Sequence, residues 1–224
     1  MRILPWADDS LPAGIELFRL ELDLATEPTA LRAALSSEED ARLQRFVQRA
    51  DRVRFAAARS ALRGLLAERM GRDPLGLRFE AGPQGKPFVR GAPRFNVAHS
   101  GTQALIALAD RAVGLEVGVD IEHRSEDIDI EGLGELVFTP AERAALRAAD
   151  DRLAAFYLRW TGKEAVLKAI GVGIAEHLQS LDIAAGAGAA IDIVMRVPAW
   201  RAVRAIRLDA PAGYAAALAW HPVS

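Results

Sequence analysis

The chain has 224 residues, a formal net charge of −2, 51% hydrophobic residues and no cysteine. Such a length can bury one large core or two small ones, the charge argues against a general nucleic-acid binder, and disulfides and thiolate metal sites are excluded. No uncharged stretch approaches the roughly 18 residues of a membrane-spanning helix, and Asp8 and Asp9 interrupt the start before any signal-peptide core, so a soluble cytoplasmic protein is expected.

Residues 15–24 alternate apolar and polar side chains, which predicts a half-buried strand. Ser36 or Ser37 then caps a helix, with Glu39 or Asp40 at or near the reciprocal capping-box position. A second helix is expected over about 50–70, ended by Gly71 with Pro74 beyond. "LRFEAGPQGKPFV" reads as a strand, a Gly/Pro turn and a short extended piece, and "RFNVAHSGTQALIALAD" as two strands around His99-Ser100-Gly101. A strand over 113–122 and a loop over 123–134 follow. Thr139, Pro140 and Glu142 open another helix, and a long helix over about 151–170 ends at Gly171. Three strands, "LDIAA", "RAVRAIRLD" and "GYAAALAW", complete the chain. Each half thus runs from a capped start through helix to strands. This order suggests an internal duplication of about 110 residues and an α+β fold with helices packed on antiparallel sheets.

One stretch carries an electrostatic conflict. In "EVGVDIEH", Asp120 and Glu122 share one strand face at the end of an apolar run. Either the strand emerges into solvent there, or a cation offsets the repulsion. On the long helix Glu164 and Lys168 are four residues apart, Trp160 is one turn earlier, and Arg159 and Lys163 form the adjacent stripe. By itself that spacing describes an ordinary surface ion pair. Together Asp120, Glu122 and Glu164 could form a hard oxygen site for Mg²⁺, with Mn²⁺ the alternative. Of 28 basic residues only Lys86, Lys163 and Lys168 are lysines, which suggests positions where a compact ammonium is needed. Arginines crowd residues 42–59, Lys86 sits in a Gly/Pro turn, and His99 precedes Ser100-Gly101; Arg, Lys and His are suited to phosphate oxygens.

The motifs "GKPF", "FNVAHSG", "VGVDIE", "FTPAE" and "WTGKEAVLKAIGVGI", in that order, resemble the 4′-phosphopantetheinyl transferases from about residue 36 onward. Length and layout look like the Sfp-type group. The resemblance implies a pseudo-dimeric monomer of two similar α+β halves, 1–112 and 113–224, with the site in the cleft between them. It implies transfer of 4′-phosphopantetheine from coenzyme A to a serine of an apo acyl or peptidyl carrier protein, releasing adenosine 3′,5′-bisphosphate. Asp120, Glu122 and Glu164 match the family's Mg²⁺ ligands, Lys168 its active-site lysine, and Arg42, Arg54, Lys86 and His99 its coenzyme contacts. Glu164 is the candidate base for the carrier serine, a role in tension with tight metal binding. Where the family often has a small hydroxyl residue before the histidine, this chain has Ala98. A coenzyme A-binding module without catalysis is the competing reading.

Overall fold

The computed structural model describes residues 1–6, 10–200 and 202–223, apart from the side chain of Pro28; Asp8 and Asp9 lie outside the described residues. The chain forms two compact units, Met1–Ala112 and Val113–Ser224.

The first unit begins with β1 (Arg2–Pro5) and β2 (Ile15–Glu21). A 3-10 turn over Pro28–Ala34 precedes α1 (Ser37–Leu43) and α2 (Arg49–Met70). The hairpin strands β3 (Glu80–Ala81) and β4 (Pro87–Phe88) lead to β5 (Arg94–Ser100) and β6 (Gln103–Ala109). The main sheet is antiparallel, in the order β1-β2-β6-β5. Ala61, Leu62 and Leu66 of α2 bury themselves against Phe18, Leu20 and Ile106 of this sheet. Ser36 is the cap of α1: its Oγ accepts from Glu39 N, while Glu39 Oε2 accepts from Ser36 N at 2.8 Å. Gly71 closes α2 at φ +59°, a conformation in which a side chain would be strained.

The second unit opens on β7 (Leu115–His123), followed by α3 (Ile130–Val137), α4 (Pro140–Arg147), α5 (Arg152–Ile170) and the single-turn α6 (Ile174–His177). Strands β8 (Leu181–Ala185), β9 (Ala190–Met195), β10 (Arg204–Leu208) and β11 (Tyr214–Pro222) complete an antiparallel sheet in the order β7-β11-β10-β9-β8. Helix α5 lies across β7, β11, β10 and β8. Phe156 of α5 is fully buried and meets Phe138 edge-on at 5.2 Å. Burying an aromatic of this size contributes roughly 2–3 kcal/mol.

The structure departs from the sequence expectations in three places. Residues 130–134, expected in a loop, begin α3: Asp129 accepts from Gly132 N at 2.9 Å and caps a helix whose Ile130 and Leu133 pack on the core. Two glycines in "IEGLGELV" weaken intrinsic helicity, and that packing outweighs them. Among the described residues the C-terminal region holds four strands rather than three, the additional one being β9. Among the described residues β1 is likewise an unexpected strand.

Candidate active site

Strand β7 places Gly118, Asp120 and Glu122 on one face by simple alternation. A Cβ on Gly118 would stand 2.2 Å from Ala165 O and 2.3 Å from Ala169 N. Only a missing side chain lets α5 approach this closely. That approach buries Asp120 to 2% exposure and brings it to Lys168, whose Nζ donates to Asp120 Oδ1 at 2.6 Å. Lys168 Nζ also lies 3.1 Å from Glu164 Oε2, one helical turn back. The Glu164–Lys168 pair is therefore not the surface pair that its spacing alone describes: both side chains are below one fifth exposed. Nor is the adjacent stripe solvated, since Arg159 and Lys163 are both buried.

Burial pushes the Asp120 carboxyl up to about 7; Lys168 opposes the rise, while Glu164 and Glu122 add to it. Burial acts on Lys168 in the opposite sense, yet Asp120 and Glu164 together raise it above the ordinary lysine range. Among the described residues Asp120 Oδ2 is buried with no hydrogen-bond partner, an acceptor without a donor.

The structure joins Asp120 and Glu164 through Lys168. It does not gather all three expected acids: among the described residues no three His, Asp or Glu side chains stand close enough together to hold a metal. Glu122 is half-buried on the Asp120 face of β7. The donor chemistry still suits a hard cation, because two carboxylates already converge on one positive charge and Asp120 keeps a buried oxygen in reserve.

Within the first unit a cleft of about 840 Å³ is lined by α1, α2, the β3–β4 hairpin and β5. It brings together Arg42, whose guanidinium sits 5.3 Å over the Phe55 ring, and the exposed His99. Gly85 and Pro87 line it, but Lys86 between them does not. Arg54 is also outside the lining; it donates to Gly101 O at 2.8 Å and pairs with Asp51 at 2.7 Å. Arg59 of the arginine run also lines the cleft, whereas Arg49 and Arg52 serve the fold. Arg49 donates to Leu24 O and Ala25 O at 2.7 Å each, and Arg52 to Phe46 O at 2.8 Å. Sequence reasoning missed the packing role of Gly118, although a glycine inside an apolar strand is itself a signal of close backbone approach.

Residues 116–219 match the family described as the 4′-phosphopantetheinyl transferase superfamily, and residues 25–111 match the 4′-phosphopantetheinyl transferase N-terminal family. The 4′-phosphopantetheinyl transferase HetI of Nostoc sp. is 36% identical over 178 residues, covering 76% of this chain and 73% of that one. The 4′-phosphopantetheinyl transferase of Bacillus subtilis is 30% identical over 164 residues, covering 71% and 70%. A Synechocystis sp. relative is 41% identical over 155 residues, and the matched region spans 66% of this chain and 62% of the relative.

Proposed function

The chain belongs to the 4′-phosphopantetheinyl transferase superfamily, and we propose that it moves 4′-phosphopantetheine from coenzyme A to a serine of an apo acyl or peptidyl carrier protein. The serine Oγ forms a bond to the phosphorus on the pantetheine side of the pyrophosphate. The P–O bond to the bridging oxygen breaks, and adenosine 3′,5′-bisphosphate leaves with that oxygen. Such a transfer depends on in-line positioning and on offsetting charge at the attacked and leaving oxygens. The observation that carries the reading is the buried Asp120–Lys168–Glu164 set, with its unsatisfied Asp120 oxygen, on the two most specific motifs.

Asp120, Glu122 and Glu164 would hold Mg²⁺ or Mn²⁺, which when bound clamps the pyrophosphate oxygens and offsets their charge. Lys168 supplies a fixed cation beside the phosphate or the leaving group. Glu164 takes the serine proton. In the first unit, Arg42, Arg54, Lys86 and His99 hold the phosphates and adenosine end of coenzyme A. We further read the protein as a cytoplasmic monomer of two similar halves. No helix among the described residues is long and apolar enough to cross a membrane.

Mass spectrometry of a panel of apo carriers incubated with coenzyme A and Mg²⁺ tests the reading. The expected result is a phosphopantetheine mass shift on at least one carrier, lost with chelator. No shift on any carrier, alongside metal-independent coenzyme A binding by calorimetry, would instead support the binding module. His99→Ala and Arg42→Ala should each raise KM for coenzyme A about 10-fold, the worth of one charge-assisted contact, with kcat changed less. An unchanged KM in both variants would remove the cleft from the coenzyme site.

A further inference from the structure

We propose that Lys163 is a positioning residue of the transfer site: clamped by Glu142 and two backbone carbonyls, it sets the roll of α5 and so places Glu164 and Lys168. The importance of those two side chains rests on the transferase reading above; the clamp itself does not.

Lys163 is fully buried. Its Nζ lies 2.7 Å from Glu142 Oε2 and donates to Leu178 O at 2.5 Å and Leu181 O at 2.7 Å. All three ammonium protons are thereby used. Glu142 is the reciprocal residue of the α4 capping box, accepting from Thr139 N at 3.0 Å. Its other oxygen accepts from Ile183 N in β8 at 2.8 Å. One ion pair thus ties α4, α5, the segment before β8 and β8 itself. Lys163 and Glu164 are neighbours in sequence, so they point about 100° apart on the helix. The first is anchored on the β8 side, and the second faces the Asp120–Lys168 cluster. Rolling α5 by about 20° would carry a carboxylate about 6 Å from the helix axis by about 2 Å. A misplacement of about 1 Å can cost on the order of 100-fold in rate.

The first unit repeats the clamp, which separates it from the chemistry. Capping-box Glu39 pairs with Arg63 of α2 at 2.7 Å, and Arg63 donates to Pro74 O at 2.5 Å and Leu77 O at 3.1 Å. In each unit the two carbonyl acceptors are three residues apart, and the long helix ends at a left-handed glycine, Gly71 or Gly171. Aligned on Arg63 and Lys163, α2 carries Gly64 and Glu68 where α5 carries Glu164 and Lys168. The clamp is therefore present where the proposed catalytic pair is absent, as a helix-placing device would be.

The three lysines make the test direct, because ¹³C-lysine labelling leaves only the signals of Lys86, Lys163 and Lys168. In folded Lys163→Met the Lys168 signal should shift. In the same variant kcat should fall about 10- to 100-fold, KM for coenzyme A should stay within about twofold, and the pH profile should keep its shape. Assays run well below the unfolding temperature keep lost stability out of kcat. Where the single variant does not fold, Lys163→Met combined with Glu142→Leu removes the stranded carboxylate. It should recover the fold but not the Lys168 signal or kcat. An unmoved Lys168 signal with wild-type kcat in either variant overturns the proposal, as does a pH profile of changed shape, which would give Lys163 a direct part in proton transfer. A shifted Lys168 signal in a protein whose wild type modifies no carrier would uphold the clamp and remove the transferase reading.

Discussion

Asp120→Asn is expected to abolish transfer and, in metal-free buffer at pH 8, to stabilise the protein. The carboxyl titrates near 7 in the fold against an ordinary value of 3.8, chiefly because it is buried. The folded state therefore holds this proton more tightly than the unfolded state does. Between those values stability falls as pH rises, and above about 7 the burden is complete. By the free-energy equivalent of a pKa change that burden is on the order of 4 kcal/mol. That shift already includes the attraction of Lys168; the neutral variant escapes the burden but must satisfy a buried amide, so a net gain of about 1–2 kcal/mol is expected at pH 8 and little or none near pH 4. Denaturant unfolding at both pH values, with and without Mg²⁺, checks this. Mg²⁺ should stabilise the natural protein increasingly up to about pH 7, as Asp120 loses its proton to solvent and its carboxylate becomes free to bind the ion, and should do less for the variant. Full transfer activity in Asp120→Asn would remove this residue from the site. Equal destabilisation at pH 4 and pH 8 would show that its carboxylate is on balance a stabilising partner.

The second large effect is steric. Gly118→Ala should cost about 3 kcal/mol or more and remove activity even from the molecules that fold. The added Cβ meets backbone atoms, Ala165 O at 2.2 Å and Ala169 N at 2.3 Å, so no rotamer change relieves it. Helix α5 must lift from β7, and the Asp120–Lys168 bond must lengthen with it. Gly64→Ala is the contrast: nothing lies within 4 Å of its Cβ on the exposed face of α2, and a gain of about 0.5–1 kcal/mol is expected. Thermal unfolding of the two variants, with kcat measured at 15 °C on the folded fraction, separates packing from helix propensity. A Gly118→Ala protein with ordinary stability and activity would mean that α5 and β7 do not depend on this close approach.

Much was legible locally. Helix α2 is announced by its periodicity and by Gly71, α4 by Thr139 and Glu142, and α5 by Gly171. Those signals are contained within one helix and its caps, so a single chain segment displays them. The pattern failed where packing overrode composition. The start of α3 reads as loop and β9 is not among the expected strands, and only contact with the core makes Ile130 and Leu133 helical and Ile191 a strand residue.

The sequence by itself determined which carboxylates and lysines could take part, because strand alternation puts Asp120 and Glu122 on one face and a four-residue helical spacing brings Lys168 to Glu164. Only the tertiary structure decided their environment. The apparent conflict at the end of β7 becomes a buried carboxyl held by a lysine, since Gly118 lets a helix close over it. The third lysine, Lys163, which the sequence leaves without a role, becomes the interior clamp of that helix. Burial and charge pairing between segments about 20 to 50 residues apart depend on long-range packing, which local periodicity does not encode.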